Sequence, residues 1–351
     1  MIYKNALIGG AVTDITVEDG RIVSLQKSGS GGIDLKYQKV FPGLIDVHTH
    51  GCMGIEANGG DIAGLAKYEA LHGTTSFLPT TATVDMETIR AALDRDIEGI
   101  DGANVLGFHI EGPYIAKSRK GAQDEKYIRK PDINEYRGLK NVKMVTIAPE
   151  TEGALDFIEK CDAVCSIGHT DCDYETAAAA IEKGARCLTH TFNAMPPMLH
   201  RAPGPIGAAI EKRIYAQLIC DGIHVQRGAV WSLYRALGAD RVCLISDSIA
   251  PAGLPCGEYT SGGLPVTLSK SGCRLADGTL AGSTAFLLDC VKTAIGFGIP
   301  ENDAFCMAGR TPAKLLGINK GELSVGFDAD FIVLDNNYNL LKTVIGGIIY
   351  E

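Results

Sequence analysis

Leu44-Ile45-Asp46-Val47-His48-Thr49-His50 is an apolar run of strand length that ends in two histidines, and the middle of the chain repeats this design. Short apolar runs fall at 44–48, 74–78, 105–110, 142–147, 163–168, 185–189, 215–220 and 242–246. Helical patterns such as 86–98, 174–183 and 230–237 separate most of them. Strands buried on both faces of a parallel sheet read as continuous apolar runs. Eight β/α units predict a (β/α)8 TIM barrel in the α/β class, an architecture that closes in about 250 residues.

The polar residues that end these runs carry the functional argument. His48 and His50 end the first run, Glu111 the third, His169 the fifth and His190 the sixth. Asp221 and His224 follow the seventh, and Asp247 the eighth. A barrel brings the C-terminal ends of its strands to one face, where active sites lie, so residues far apart in sequence converge there. Neutral imidazoles and carboxylates together are ligands for Zn²⁺ or Fe²⁺. Taken singly, each has a bland reading: a lone His at a strand end is ordinarily structural, and Glu111 or Asp247 can cap a following helix. Six such residues at successive strand ends favour a metal site. Cys52 and Cys172 lie past the strand ends and fit less well, and His72 and His109 read as structural. The fourth run has its only Lys, Lys143, at the wrong end for a carboxylated-lysine bridge. If two metals bind, Glu111 is the natural bridge.

Both chain ends are β-rich. Glu18-Asp19-Gly20 between 15–17 and 22–25 is a hairpin signature, and 331–334 and 340–349 flank an Asn336-Asn337 turn. Neither end alone buries a core. The expected division is a small β-sandwich domain from 1–41 and 319–351, and a metal-dependent barrel from 42–318. The 351 residues, 46% apolar, are ample for one large and one small unit.

A net charge of −9 without basic runs argues against non-specific nucleic-acid binding, yet leaves an anionic small substrate open. The first residues, MIYKNALIGG, lack a signal peptide's pattern, and no apolar run reaches about 18 residues. The expectation is a cytoplasmic chain with no membrane partner. Eleven scattered Cys, an odd number without a C-x-x-C pair, read as reduced buried thiols.

The segment Phe41-Pro42-Gly43-Leu44-Ile45-Asp46-Val47-His48-Thr49-His50-Gly51 resembles the opening motif of the amidohydrolase superfamily. Further segments sharpen the likeness: Gly73-Thr74-Thr75-Ser76-Phe77-Leu78-Pro79-Thr80, His109-Ile110-Glu111-Gly112-Pro113-Tyr114, His190-Thr191-Phe192-Asn193-Ala194-Met195-Pro196, Asp221-Gly222-Ile223-His224 and Leu280-Ala281-Gly282-Ser283. In this order they make the chain similar, over essentially its full length, to the N-acetylglucosamine-6-phosphate deacetylase family. The resemblance implies a barrel with a small β-sandwich from both termini. It implies Glu111, His169 and His190 as metal ligands, with His48 and His50 able to hold a second metal. Zn or Fe is the first expectation, Co or Mn the second. It also implies Asp247 as the catalytic acid/base.

For the substrate, the resemblance implies Asn193 and Ala194 at a phosphate, with charge from Arg201 and His224 and with Asp221 in the same segment. Ala122, Gln123, Leu280, Ala281 and Gly282 would line the sugar site. Gln123 stands where several family members have His, a departure at the sugar-hydroxyl contact. A homodimer sharing phosphate contacts across its interface is implied as well. The implied reaction is hydrolysis of the acetamide of N-acetyl-D-glucosamine 6-phosphate to D-glucosamine 6-phosphate and acetate, in amino-sugar catabolism. The rival readings are another amidohydrolase (a cyclic amidase or nucleobase deaminase) and a non-catalytic sugar-phosphate sensor on the same fold.

Overall fold

The computed structural model describes residues 1–29 and 31–351. Eight parallel strands form the barrel: β1 (Leu44–Thr49), β2 (Thr74–Thr81), β3 (Phe108–Glu111), β4 (Val142–Ile147), β5 (Val164–Ile167), β6 (Cys187–Leu188), β7 (Tyr215–Ile219) and β8 (Val242–Ile245). They are hydrogen-bonded in sequence order. No regular ladder joins β8 to β1. Just past the strand end, Asp247 N donates to His48 O at 2.9 Å, and His50 N donates to Ser248 O at 2.7 Å.

Side-chain alternation separates the two faces of each strand. Val145, Ile147, Cys165, Ile167, Leu188, Ala216, Leu218 and Leu244 pack outward against helix residues such as Phe157, Ile206 and Leu233. Each fully buried Leu or Ile there contributes roughly 1.5–3 kcal/mol. The opposite set, including Met144, Val164, Cys187, Ile219 and Cys243, forms a separate cluster. Above it lies a polar belt: His109 Nε2 meets Thr146 Oγ1 at 2.8 Å, Thr146 meets Thr189 Oγ1 at 2.8 Å, and Thr189 donates to Ser166 Oγ at 2.7 Å. The Thr146–Thr189 contact skips β5, which only interior side chains can do. His109 is therefore a fully buried member of this belt, as expected of a structural residue.

The surrounding helices follow local signals. In Tyr174–Glu182, Asp173 caps the N-terminus by accepting from Thr176 N at 2.8 Å, while Ala177 and Ala180 supply the buried face. The expected run at 105–110 is split into Asn104–Val105 and β3. The cause is Gly107, at φ +128, where a Cβ would stand 2.6 Å from Asn141 O.

The two chain ends do meet, in a sheet of their own. Residues from both ends make one continuous eight-stranded sheet, with Lys39–Pro42 antiparallel to Phe331–Leu334. Tyr3, Ile15, Val17, Ile22, Val40, Phe331, Val333 and Val344 share its core. Tyr3 donates across it to Gly347 O at 2.6 Å and meets Phe331 edge-on at 5.0 Å. The second C-terminal run divides at Gly346-Gly347 into Leu340–Ile345 and Ile348–Tyr350. We propose that 1–41 with 319–351, and 42–318, are the two domains: the terminal sheet pairs through Phe41 and Pro42 and β1 begins at Leu44, so the join falls within a residue of that boundary.

One element was not foreseen. After β8 a three-stranded meander, Gly257–Ser261, Leu264–Ser269 and Gly272–Arg274, packs on Ile249 through Val266, Leu268 and Cys273. Its Ser261-Gly262-Gly263 turn and alternating polar residues were the available signal. Among the described residues no helix is long and apolar enough to cross a membrane.

Candidate metal centre and substrate cavity

His169, His190 and Asp247 each stand two residues past the end of their strands, β5, β6 and β8. All three have positive φ: 46°, 27° and 48°. Non-glycine residues adopt this conformation at a cost, and such residues gather at functional sites. Glu111 is the last residue of β3. The next residue must be Gly112, at φ +76, because a Cβ there would stand 2.0 Å from Thr83 Oγ1.

These residues and the His48–His50 pair form two adjoining groups: Glu111 with His169 and His190, and His48 with His50 and Asp247. Glu111 spans both. Its Oε1 lies 3.0 Å from His190 Nε2, 3.4 Å from His169 Nε2 and 3.2 Å from His48 Nε2, and its Oε2 lies 3.2 Å from His50 Nε2. Asp247 Oδ1 is 3.2 Å from His48 Nε2 and 3.4 Å from His50 Nε2.

Tautomers tell what the nitrogens offer. His169 Nδ1 is 2.8 Å from Arg119 O and His50 Nδ1 is 3.0 Å from Thr80 O. A carbonyl only accepts, so both Nδ1 atoms carry the proton, and in the neutral ring Nε2 presents a lone pair. Nε2 atoms nonetheless face one another at 3.0 Å (His169 and His190) and 3.2 Å (His48 and His50). Glu111 Oε1 and His190 Nδ1 are buried without a hydrogen-bond partner. Converging lone pairs with an orphaned carboxylate oxygen are what a divalent cation satisfies, and the donor set suits Zn²⁺ or Fe²⁺.

The electrostatics of the bare side chains agree. Burial opposes ionisation of Glu111, but His48 and His169 outweigh it and hold its carboxyl well below the usual range. Burial likewise opposes a charge on Asp247, yet His48 and His50 bring it down to about 2. Burial disfavours a cation at His50, but Asp247 and Glu111 push its pKa up to about 10. Cys52 and Cys172 are buried outside both groups, and Lys143 lies at the start of β4.

The groups open into a cavity of about 340 Å³. Ala122, Gln123, Asn193, Ala194, His224, Leu280, Ala281 and Gly282, all expected at the substrate, line it. Gly282 is required there: a Cβ would stand 2.6 Å from Ile249 Cγ2 and 3.2 Å from Asp247 O. Gln123 does more than line the wall, since its Nε2 donates to Glu111 Oε2 at 2.6 Å and its Oε1 accepts from Thr83 N at 2.7 Å.

Two expected substrate contacts do not line the cavity. Asp221 stands behind His224, with Oδ2 2.7 Å from His224 Nδ1. Burial opposes charge on His224, but Asp221 outweighs it and holds the imidazole pKa above its usual value. Arg201 lies on the loop after His190, bonded to His200 and exposed beside Met198 (52%) and Leu199 (54%). The sequence reading missed Glu56, Asn58 and Arg119, and the meander residues Ser261, Gly262 and Val266, all of which line the cavity. Glu56 Oε1 accepts from Gly262 N at 2.8 Å and so holds the meander tip over the site.

Comparison with known proteins gives this geometry its family. The pattern of the Amidohydrolase family matches residues 40–349. The N-acetylglucosamine-6-phosphate deacetylase of Vibrio furnissii is 34% identical, with 95% of this chain and 89% of that protein covered. The N-acetylgalactosamine-6-phosphate deacetylase of Escherichia coli is 33% identical, with 95% and 93% covered. The crystal structure of the Thermotoga maritima N-acetylglucosamine-6-phosphate deacetylase superposes with a TM-score of 0.92 at 32% identity, covering 99% of each chain. The chain belongs to the amidohydrolase family and, within it, groups with the N-acetylglucosamine-6-phosphate deacetylases.

Proposed function

We propose that this chain hydrolyses the acetamide of N-acetyl-D-glucosamine 6-phosphate, giving D-glucosamine 6-phosphate and acetate in the breakdown of amino sugars. The observation that carries this is the convergence of four imidazoles, Glu111 and Asp247 at the floor of one cavity whose wall holds His224, a histidine that Asp221 biases toward its cation. Glu111, His169 and His190 would hold one divalent metal, and His48 and His50 a second with Glu111 between. Zn or Fe is the first choice, Co or Mn the next. A divalent cation held there would supply the Lewis acidity that activates water at neutral pH.

Asp247 does the proton work. Its carboxylate is ionised through the neutral range and takes a proton from the attacking water. The water oxygen bonds to the carbonyl carbon, the C–N bond breaks, and Asp247 hands its proton to the departing nitrogen. Asn193, Ala194 and His224 hold the phosphate, so that a group remote from the reacting bond orients the acetamide. Leu280, Ala281 and Gly282 wall the sugar. Cytoplasmic residence belongs to the same proposal, supported by eleven free cysteines. So does a homodimer: Arg201 does not line its own cavity, and a second copy's loop would bring its charge to the phosphate.

The test is acetate release from N-acetylglucosamine 6-phosphate, with the unphosphorylated sugar, N-acetylgalactosamine 6-phosphate, adenine and dihydroorotate in parallel. Release from the first, lost on chelation, is the expected result. Preference for the galactose epimer would move the assignment to the sugar of the Escherichia coli relative, a second reading favoured by that similarity and by Gln123's engagement with Glu111. Activity on adenine or dihydroorotate favours a different amidohydrolase, and no turnover of any substrate favours a sensor. Light scattering on the same sample is expected at twice the chain mass, and a single-chain mass removes only the shared phosphate contact.

The Asp221–His224 pair gives a pH prediction. Because Asp221 raises the pKa of His224, the cation persists to higher pH and the phosphate anchor weakens only as pH rises through that raised value. In Asp221→Asn, burial is opposed only by the more distant charge of Asp247, and the His224 charge is lost at lower pH. KM for the phosphorylated sugar should then rise roughly tenfold near neutrality, one charge-assisted hydrogen bond being worth about 1.5–3 kcal/mol. Unchanged KM–pH profiles in this variant would remove His224 from the anchor.

A further inference from the structure

Gln217 sits in the middle of β7 with no exposed surface, inside the barrel. A buried amide is expensive unless bonded, at about 1–3 kcal/mol for each unsatisfied group. In this one both the oxygen and the nitrogen have partners. Its Oε1 is 3.3 Å from His190 N and 2.9 Å from His48 Nδ1, and its Nε2 is 3.1 Å from Met144 Sδ. Its backbone oxygen accepts from Thr191 N at 2.8 Å.

The geometry fixes more than contact. The His190 backbone N–H can only donate, so the atom of Gln217 facing it must be the oxygen. That same oxygen faces His48 Nδ1, so Nδ1 must carry the proton. His48 is thereby left with its Nε2 lone pair aimed between Glu111 Oε1 and Asp247 Oδ1, each 3.2 Å away. His169 and His50 obtain the same tautomer from backbone carbonyls of loop residue Arg119 and strand residue Thr80. His48 has no such carbonyl and depends on a side chain. The one oxygen also ties His48 of one ligand group to the backbone of His190 in the other.

We propose that Gln217 is a positioning residue that sets the tautomer and ring orientation of His48 and couples the two ligand groups. This rests on the metal reading of the site. The test titrates zinc against a chelating indicator in the wild-type chain, Gln217→Met and Gln217→Glu, with kcat and KM measured on the same samples. Gln217→Met keeps the volume but removes the acceptor, and zinc affinity should fall 10–100-fold, the usual loss for a partner behind a ligand. Gln217→Glu keeps the acceptor and should hold affinity near the wild-type level. A purely structural role would move melting temperature in both variants without this split. Wild-type affinity in Gln217→Met, or equal loss in both variants, overturns the proposal. No zinc bound by the wild-type chain would instead overturn the metal reading beneath it. Should Gln217→Met fail to fold, nitrogen NMR of zinc-loaded wild-type protein with labelled histidine decides. A His48 signal, assigned by its loss in His48→Gln, must show the proton on Nδ1, and a proton on Nε2 overturns the proposal.

Discussion

Asp247→Asn is expected to fold, to keep zinc at the Glu111, His169 and His190 group, and to lose roughly 10²–10⁴ in kcat, the range for removing a general acid–base. The substitution preserves shape and leaves the backbone bond from Asp247 N to His48 O available. It removes the cavity carboxylate that lies against His48 and His50, outside the Glu111 group. An amide can neither accept the water's proton nor return it to nitrogen, and an amine does not leave a tetrahedral carbon as an anion. KM should change little, because the phosphate contacts are untouched. Acetate release and zinc content on one preparation are the readouts. Turnover near the wild-type level would sink the assignment of Asp247.

Glu111→Gln should have the larger effect on metal. Among the described residues Glu111 is the only carboxylate within 3.4 Å of Nε2 atoms in both groups, so its charge serves all four imidazoles. Replacing one oxygen by an amide nitrogen sets a donor either against Gln123 Nε2, itself a donor at 2.6 Å, or against the imidazoles. Zinc retention should therefore fall by more than the roughly 10–100-fold that losing an outer partner costs, and activity should fall with it. Metal analysis after gel filtration is the check, with circular dichroism to verify folding. Full retention of zinc would take Glu111 out of the ligand set.

Much of this was legible in the chain because barrel strands are buried on both faces. Runs such as Val242–Ile245 leave no alternation to misread, and the residue types just past them are those a metal needs. What escaped has physical reasons too. Gly107 and Gly346-Gly347 divide runs that hydrophobicity alone joins. Gln217 gives no signal: an amide inside Tyr215–Ile219 resembles any strand polar residue until its neighbours across the barrel are known. Arg201's place outside the cavity depends on how a loop leaves the barrel, and the meander's role depends on one contact, Glu56 to Gly262, that links segments far apart in sequence.

The terminal sheet has a consequence for how this chain is made. Lys39–Pro42 pairs with Phe331–Leu334, so a strand synthesised near the beginning waits for one synthesised near the end. Until then the nascent protein carries an open sheet edge and an incomplete core around Tyr3, Ile15 and Val40. Unpaired edges of this kind recruit other strands, and contacts so distant in sequence form slowly. The barrel can close first, since its strands pair in order of synthesis, and the ends are sewn together last. Yield in the cell should therefore be limited by this final stitch, and a C-terminal truncation should send the chain into aggregates rather than leave a smaller working enzyme.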